Sequence, residues 1–356
     1  MKKNVNFIWS LQKNTCIELF GVLSETKRTR LHSIRAHLFP PPLKYFIKVS
    51  FCQYIIRHIF SYMPIALMII LTFILSGCNV NKNKEIADRS GRTVIIKGAI
   101  NRVVSTAPSN TEIITDLGMA HTLIAIDKHS ANVSGIPEGL PLLDFFYPDA
   151  ELIINLNPDI IIASGHNPSG SGEDPFHLLR EAGIPVAYIS MSKSINDIYK
   201  DIAFIAQLLQ VQSKGEELID SMKTQIAEII RKTANSSAAK SVYFEISAAP
   251  DMMTFGKESY IDDMITIIGA RNIFEYDNWL VNPGAESIIE RNPDIIFTNV
   301  NYIDNPIDEI KNRPGFEHIN AVVNNRIYQI DTDSSVRPSS RIITALQQMA
   351  DAIYLE

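Results

Sequence analysis

The sequence predicts an α/β protein with two similar lobes, each a mainly parallel sheet flanked by helices, joined by a long connecting helix. Three observations predict this fold. Apolar strand-like runs alternate with amphipathic helical segments after residue 90. One 14-residue segment occurs twice, and a long amphipathic segment lies between the two copies. A chain of 356 residues is long enough for two domains of ordinary size.

The composition is globular, but the charge is unevenly distributed. Hydrophobic residues make up 46% of the chain and charged residues 20%, which excludes disorder or collagen-like repeats for most of it. The net charge of −6 argues against nucleic-acid binding. Residues 1–77 carry 10 basic and 2 acidic side chains, whereas residues 78–356 carry 23 and 37. Two differently charged segments therefore meet near residue 78.

An apolar run explains this junction. Residues 65–75 are long enough for a signal-peptide core but short for a membrane span of about 20 apolar residues. The run ends in Leu75-Ser76-Gly77-Cys78, which resembles a bacterial lipobox. We expect a signal peptide at 63–77, an acylated Cys78 and a polar tether at 78–89. The alternative is an uncleaved transmembrane anchor, and either would place the rest of the chain outside the cytoplasm.

Residues 1–62 and the three cysteines carry less information. Residues 1–62 are basic, and no Met lies between Met1 and Met63, so this extension is interpreted as upstream sequence from a misplaced start and is assigned no fold. The cysteines are Cys16, Cys52 and Cys78, so cleavage would leave no internal disulfide. The exported part must then be stabilised by its core.

Residues 90–210 are predicted to form the first lobe. Its helices are expected at Ser109–Gly118, where Ser109 and Glu112 have the spacing of a capping box and Gly118 closes the helix, and at Pro175–Ala182. The expected strands are Arg102–Ser105, Leu123–Ile126, Ile160–Ala163 and Val186–Ile189. The last two are uninterrupted apolar runs, which are typical of a parallel sheet buried on both faces.

The internal repeat is the strongest signal. Pro148–Ile161 recurs 135 positions later as Pro283–Ile296, with 10 of 14 residues identical. A looser echo relates Ser109–Gly118 to Ser259–Gly269. In each copy we expect Pro in the first helical turn, Glu beside it at the positive helix end, and Asn-Pro to stop the helix before a strand. These roles alone could explain both glutamates structurally.

Residues 211–236 are predicted to form the connecting helix, and residues 237–356 the second lobe. A helix at Ser213–Ala234 would span about 33 Å and restrict hinge opening. Its apolar residues recur at three- and four-residue spacing: Leu218, Ile219, Met222, Ile226, Ile229 and Ile230.

Several segments occur in a specific order and at specific spacing. They are Ser105–Glu112, the two Ala-Glu-x-Ile-Ile-x-x-Asn-Pro-Asp copies, Phe255–Ser259 with Gly269–Phe274, and Ser340–Ile343. Together they resemble the substrate-binding proteins of ATP-driven (ABC) importers for iron complexes, haem and vitamin B12, the two-lobed class with a helical connector. The resemblance covers about residues 90–355.

The resemblance implies a function and two docking residues. It implies a lipid-anchored extracytoplasmic receptor that carries an iron(III) chelate, a siderophore or haem, to an ABC permease dimer with its ATPase; a cobalamin receptor of the same fold is the alternative. One glutamate on each lobe of this class docks against permease arginines, and the matching positions are Glu151 and Glu286. A symmetric partner presents the same basic pocket twice, so a duplicated lobe can supply both carboxylates.

Ligand contacts are expected in the cleft between the lobes, at the carboxyl ends of strands. Aromatic side chains could cover the apolar faces of a chelate, and cations could pair with its acids. A surface histidine, a core tryptophan or an ordinary salt bridge would equally explain individual members. The candidates are Phe146, Tyr147, His166, Lys257, Trp279, Tyr302 and Arg337.

Other functional classes find little support in the sequence. Glycine-rich Gly165–Gly172 lacks the Gly-Lys-Ser/Thr ending of a phosphate-binding loop. The five histidines after the leader lack zinc-hydrolase spacing, so we expect no cofactor or catalytic metal, although a direct metal-ion carrier stays open. We expect a monomer that is not an enzyme and binds no nucleic acid. The alternative from another class is a cell-envelope enzyme on a duplicated α/β scaffold.

Overall fold

The computed structural model describes residues 83–144, 146–165, 174–233 and 239–354. They belong to one compact unit, Asn81–Glu356. The predicted extension, signal peptide and lipidated Cys78 lie outside the described residues. Within the described ranges, no helix combines the length and apolar character that crossing a bilayer requires.

Strands and helices alternate along the chain, as the sequence predicts for an α/β protein. The strands are β1 (Lys84–Ala87), β2 (Thr93–Ile96), β3 (Val103–Ser105), β4 (Leu123–Asp127), β5 (Leu142–Leu143), β6 (Ile160–Ser164), β7 (Val186–Ile189), β8 (Ser241–Glu245), β9 (Thr254–Phe255), β10 (Arg271–Asn272), β11 (Leu280–Val281), β12 (Ile295–Thr298) and β13 (Ile327–Gln329). The helices are α1 (Pro108–Asp116), α2 (Ala150–Asn155), α3 (His177–Glu181), α4 (Ile195–Leu208), α5 (Gln212–Thr233), α6 (Tyr260–Ile267), α7 (Ala285–Arg291), α8 (Pro306–Lys311), α9 (Asn320–Val323), α10 (Thr332–Val336) and α11 (Ile342–Tyr354).

Two parallel sheets have the same topology. The first has the order β5-β4-β3-β6-β7 and the second the order β10-β8-β12-β13. Counted along the chain, the second sheet is ordered 2-1-3-4, and the first repeats this order with β5 added at one edge. The repeated segments supply α2 and β6 in the first sheet and α7 and β12 in the second. We call β3 to α4 the first lobe and β8 to α11 the second.

The central strands are buried on both faces. Alternate residues of β6 face two different clusters: Ile160 and Ile162 pack in one, and Ile161 and Ala163 in the other. The first of these clusters also contains Val242 and Phe244 of β8. One continuous apolar core therefore runs from the first sheet to the second, and opening the lobes would expose part of it.

Helix α5 contains 22 residues and lies between the two sheets in the chain. It packs against α4 and α11. Met222, Ile226 and Ile229 are buried, in agreement with the predicted apolar face, whereas Ile230 is 43% exposed. At 100° per residue, Ile230 lies beyond the edge of the stripe that the other residues form.

The prediction of a polar tether at 78–89 is wrong for its last residues. Strand β1 pairs antiparallel with β2, and Ile86 is buried in the core. Asp88 closes the turn by accepting hydrogen bonds from the backbone N–H groups of Ser90 and Arg92. Its other oxygen accepts from the N–H of Tyr188, at 3.0 Å, so the hairpin is fixed to β7.

The predicted starts of α1 and of the two repeat helices also differ. Helix α1 begins at Pro108 with Ala107 as its N-cap, and no side chain caps it, so the capping-box role of Ser109 and Glu112 is wrong. In the repeat, the N-caps are Asp149 and Gly284, which places the preceding prolines before the helix rather than in its first turn.

The predicted helix ends are confirmed. Gly118 and Gly269 have φ of +71° and +75° just beyond α1 and α6. In the two repeat copies, Asn157 and Asn292 adopt the left-handed conformation directly before proline, with φ of 46° and 42°. The same residue thus stops α2 and α7 in the same way.

Candidate functional site

A cavity of about 640 Å³ lies between residues of the two lobes. The first lobe contributes the start of α1 and the segments that follow β6 and β7, including Ser164 and Ile189–Ser192. The second contributes Ile246 after β8, Phe255 of β9 and the residues around α10. Parallel strands thus direct their carboxyl ends toward one cleft, which is where ligands bind in open α/β sheets.

Much of the cavity wall is aromatic or aliphatic. The rings of Phe255 and Trp279 lie 5.6 Å apart, at 53° to each other. Tyr260 packs against Phe255 at 6.5 Å, and its hydroxyl donates to the carbonyl of Ser335, which satisfies its polar end. Met191 and Met253 add polarizable thioethers. This wall can cover the flat apolar faces of a large ligand.

Gly256 allows the two aromatic segments to approach. A Cβ atom built on Gly256 would lie 2.3 Å from the carbonyl oxygen of Asn278 and 2.6 Å from that of Asp277. The N–H of Gly256 donates to the carbonyl of Trp279 at 3.1 Å. A larger residue would push the Trp279 segment away from Phe255 and so change the shape of the wall.

The polar part of the wall is centred on Arg337. Its Nη1 lies 3.0 Å from Glu112 Oε1, and its Nη2 lies 2.8 Å from Asp333 Oδ1. Nη2 also donates to Asn132 Oδ1 and to the carbonyl of His129, both at 3.0 Å. We call Glu112, Asp333, Arg337 and Arg341 the Arg337 network. It joins α1 of the first lobe to the segment from α10 to α11 of the second.

Glu112 is the most buried member of this network. Its side chain is fully buried, and Ser339 Oγ donates to Oε2 at 2.6 Å while Arg341 Nε lies 3.8 Å from Oε1. Burial raises the pKa of Glu112, and the bonds from Ser339 and Arg337 oppose that rise. Burial likewise raises the pKa of the nearby Asp127, against hydrogen bonds from Ser130 and the N–H of His129.

The structure brings three of the predicted contact residues to the cavity. Phe146, Trp279 and Arg337 line it. Tyr147 and Lys257 are exposed and lie outside the lining. The ligand-contact roles of all five stay predictions.

The other two predicted contact residues are placed differently. Tyr302 is 64% exposed, lies outside the lining, and its hydroxyl accepts from the N–H of Ala248 at 2.8 Å. His166 lies outside the described residues. Tyr302 therefore supports the loop after β8, and its ligand-contact role also stays a prediction.

Several lining residues were missed from the sequence. Met191 is the second residue after β7, so the rule that ligands sit at the carboxyl ends of strands could have found it. Phe255 begins the segment from which Lys257 was chosen. Nothing in the sequence indicated Met253, Tyr260 or Asp333, because they reach the cavity through the packing of the second lobe.

The two repeat glutamates occupy equivalent positions. Glu151 and Glu286 are each the second residue of a helix, α2 and α7, and both are exposed. A carboxylate in the first turn faces the positive end of the helix. Each is therefore available to a partner.

The described residues contain no group of three or more His, Cys, Asp or Glu side chains that could hold a metal ion. The histidine that lines the cavity is His129, beside the aromatic wall. Within the described part of the chain, metal could enter this cavity inside a chelate but would find no multidentate protein site.

Comparison with known proteins agrees with this geometry. The model of a family described as periplasmic binding protein matches residues 103–334. The chain is 30% identical over 271 residues to an uncharacterized ABC transporter substrate-binding lipoprotein, YvrC, of Bacillus subtilis, covering 76% of this chain and 85% of the relative. It is 25% identical to a vitamin B12-binding protein of Vibrio campbellii, covering 71% and 90%.

A solved structure is similar across the same region. It is that of a possible iron-binding (periplasmic solute-binding) protein from Staphylococcus epidermidis, with a TM-score of 0.65 and 31% identity, covering 72% of this chain and 99% of that one. The similarity therefore extends over both lobes and the helix between them.

Proposed function

The chain belongs to the periplasmic binding protein family, and we propose that it captures an iron(III) chelate, a siderophore or haem, outside the cytoplasm and delivers it to an ABC permease. The family and the similar proteins are substrate-binding proteins rather than enzymes. The observation that carries the proposal is the cavity between the lobes. It is of the size of a drug-like ligand site and is lined by aromatic and thioether groups from both lobes.

Cobalamin is the second candidate ligand. The similarity to vitamin B12-binding proteins of Vibrio species favours it, and a corrin presents the same kind of broad apolar face as haem. Both ligands would stack against Phe255 and Trp279.

Delivery requires docking and retention at the membrane. Glu151 and Glu286, exposed at the starts of equivalent helices, are proposed to contact permease arginines. The lipobox-like Leu75-Ser76-Gly77-Cys78 and the lipoprotein name of the Bacillus relative support a lipid anchor at Cys78. The receptor would then act as a monomer at the outer face of the cytoplasmic membrane.

A ligand screen tests this proposal. Protein from its host should carry an absorbing ferric or corrinoid chromophore, or thermal-shift screening with ferric siderophores, haem and cyanocobalamin should find a chelate that raises the melting temperature. Replacing Trp279 by Ala should weaken binding of that chelate by about 10-fold or more, because stacking on the ring is lost. Tyr276→Ala is a matched control, since Tyr276 is 83% exposed and lies outside the cavity lining. Binding of none of these chelates would refute the proposal.

A further inference from the structure

The charges around the cavity limit which chelates it can bind. We propose that its ligand is an electroneutral metal chelate rather than one that carries net negative charge. This inference rests on the proposed function and specifies its substrate class. It follows from how the cations near the cavity are already paired.

Two of the described residues that line the cavity carry a full charge, Asp333 and Arg337. Arg337 contacts two carboxylates, Glu112 at 3.0 Å and Asp333 at 2.8 Å. Arg341 lies 3.8 Å from the same Glu112, so the Arg337 network contains two cations and two anions. Its net charge is zero, and its single guanidinium at the cavity is neutralised from both sides.

A ligand carboxylate could bind Arg337 only by competing with these partners. Glu112 is fully buried, and a buried carboxylate that loses its cation pays a large desolvation cost. The short contact to Ser339 and the two arginines indicate an ionised Glu112. Asp333, which also lines the cavity, would repel an incoming anion.

Neighbouring lysines do not change this balance. Lys128 lies 2.8 Å from Asp144, and Lys193 lies 2.9 Å from Glu258. Lys257 is exposed and lies outside the cavity lining. The stretches that interrupt the description of the first lobe, residue 145 and residues 166–173, contain no lysine or arginine in their sequence, so they add no permanent cation.

The wall does offer weaker polar features. Helix α1 begins at the cavity, and its partial positive charge of about half a unit suits an acceptor oxygen but falls short of neutralising one full negative charge. The aromatic and thioether groups suit apolar faces. A neutral chelate with amide groups at its edge, such as a corrinoid or a ferric trihydroxamate, satisfies both features. Haem with two ionised propionates and a ferric tricatecholate of charge −3 would leave most of their negative charge without a counterion, because Arg337 is already paired.

Four probes test the inference: cyanocobalamin, a neutral ferric trihydroxamate, haem and a ferric tricatecholate. Their dissociation constants are measured from quenching of tryptophan fluorescence on the intact protein at neutral pH. We expect at least one neutral chelate to bind 10-fold or more tightly than both anionic chelates. Tighter binding of an anionic chelate would overturn the inference and leave the proposed function standing. Binding of no chelate would overturn both.

Changing the charge of the wall should change this preference. Asp333→Asn gives the Arg337 network a net charge of +1, so haem should bind 5-fold or more tightly while cyanocobalamin stays within 2-fold. Asp220→Asn is the matched control, because it makes the same change of charge on the exposed face of α5 and should alter neither.

A second variant does not disturb the Arg337 network. Val336 lines the cavity and is 43% exposed, so Val336→Lys adds an unpaired cation without removing a buried group. Haem should again gain 5-fold or more. If neither variant improves haem binding relative to cyanocobalamin, wall charge does not select the ligand and the inference is wrong.

Discussion

In the first lobe, helix α1 follows the first strand of its sheet, and in the second lobe helix α6 occupies the same place. Both carry Ser-x-x-acid at their start. In α6, Ser259 is the N-cap and accepts from the N–H of Asp262 at 3.2 Å. In α1, the helix begins at Pro108, two residues earlier than the matching position in α6, so Ser109 caps nothing and Glu112 points into the Arg337 network.

The difference teaches how a duplicated unit can acquire a new role. Pro108 fixes the backbone at the first helical position, so the helix starts before Ser109 and the acid moves away from the capping position. Released from the cap, the carboxylate of Glu112 holds the two lobes together. Asp262, its counterpart, accepts from Asn272 within its own lobe. A shift of two residues in the helix start therefore accompanies the different roles of the two acids.

The largest effect should come from Glu151 and Glu286, the two glutamates that occupy equivalent positions in the two lobes. We expect the double variant Glu151→Ala, Glu286→Ala to abolish uptake while ligand affinity is unchanged, because both carboxylates are exposed outside the cavity lining. Charge-assisted pairs to a permease would be lost at both ends. Uptake of labelled chelate by cells and the dissociation constant of the purified protein measure the two effects.

The control removes two exposed glutamates elsewhere. Glu216 and Glu217 lie on α5, and replacing both by Ala makes the same change of charge without touching either repeat helix. Uptake at the wild-type rate in the Glu151, Glu286 double variant would refute the docking role.

The next largest effect separates α1 from α6. Glu112→Ala leaves Arg337 buried without its first partner, and we expect it to lower the free energy of unfolding by about 3–5 kcal/mol. Asp262→Ala removes a partly buried hydrogen-bond acceptor and should cost about 1 kcal/mol. Urea unfolding of each variant measures the difference. Equal losses would mean that Glu112 is not a special contact between the lobes.

This contrast also marks what the sequence could predict. Apolar runs, the repeat and the stop residues gave both sheets, the connecting helix and the helix ends, because these depend on local pattern. The sequence assigned Glu112 to a cap because its partners, Arg337 and Ser339, lie more than 220 positions away. Tyr260 and Met253 were missed as lining residues for a similar reason, because only the packing of distant segments brings them to the cavity. The cavity wall is determined by packing between distant segments, which no spacing rule reports.

A third effect compares one buried carboxylate–arginine pair from each lobe. Asp201 of α4 pairs with Arg89 of the hairpin that precedes the first lobe, and Glu245 pairs with Arg313 within the second lobe. Burial raises the pKa of Asp201 to about 6, against the bonds from Arg89 and Ser192, and Asp197 nearby adds to the rise. Because the pKa is higher in the folded than in the unfolded state, the folded state binds the proton more tightly. Asp201 thus adds stability below pH 4 and loses it as the pH rises through 6.

The variant Asp201→Asn isolates the pH-dependent contribution of this carboxyl group to the free energy of unfolding. Relative to the variant, the wild type should gain about 2 kcal/mol of unfolding free energy when the pH falls from 7 to 4, since most of the linkage between the two pKa values is realised by pH 4. Urea titrations at several pH values give both curves. Parallel curves would show that the Asp201 pKa is not raised, and would leave the first lobe without a pH-sensitive buried pair at that position.

The smallest expected effect tests the helix start itself. Ser259→Ala removes the side-chain cap of α6 and should cost about 1 kcal/mol of unfolding free energy, whereas Ser109→Ala should change it by less than about 0.5 kcal/mol. Both variants make the same chemical change at matching positions of α1 and α6, so each serves as the control for the other. Equal costs would mean that Ser109 does cap α1. In that case the release of Glu112 from the cap would no longer explain how the first lobe acquired its contact with the second.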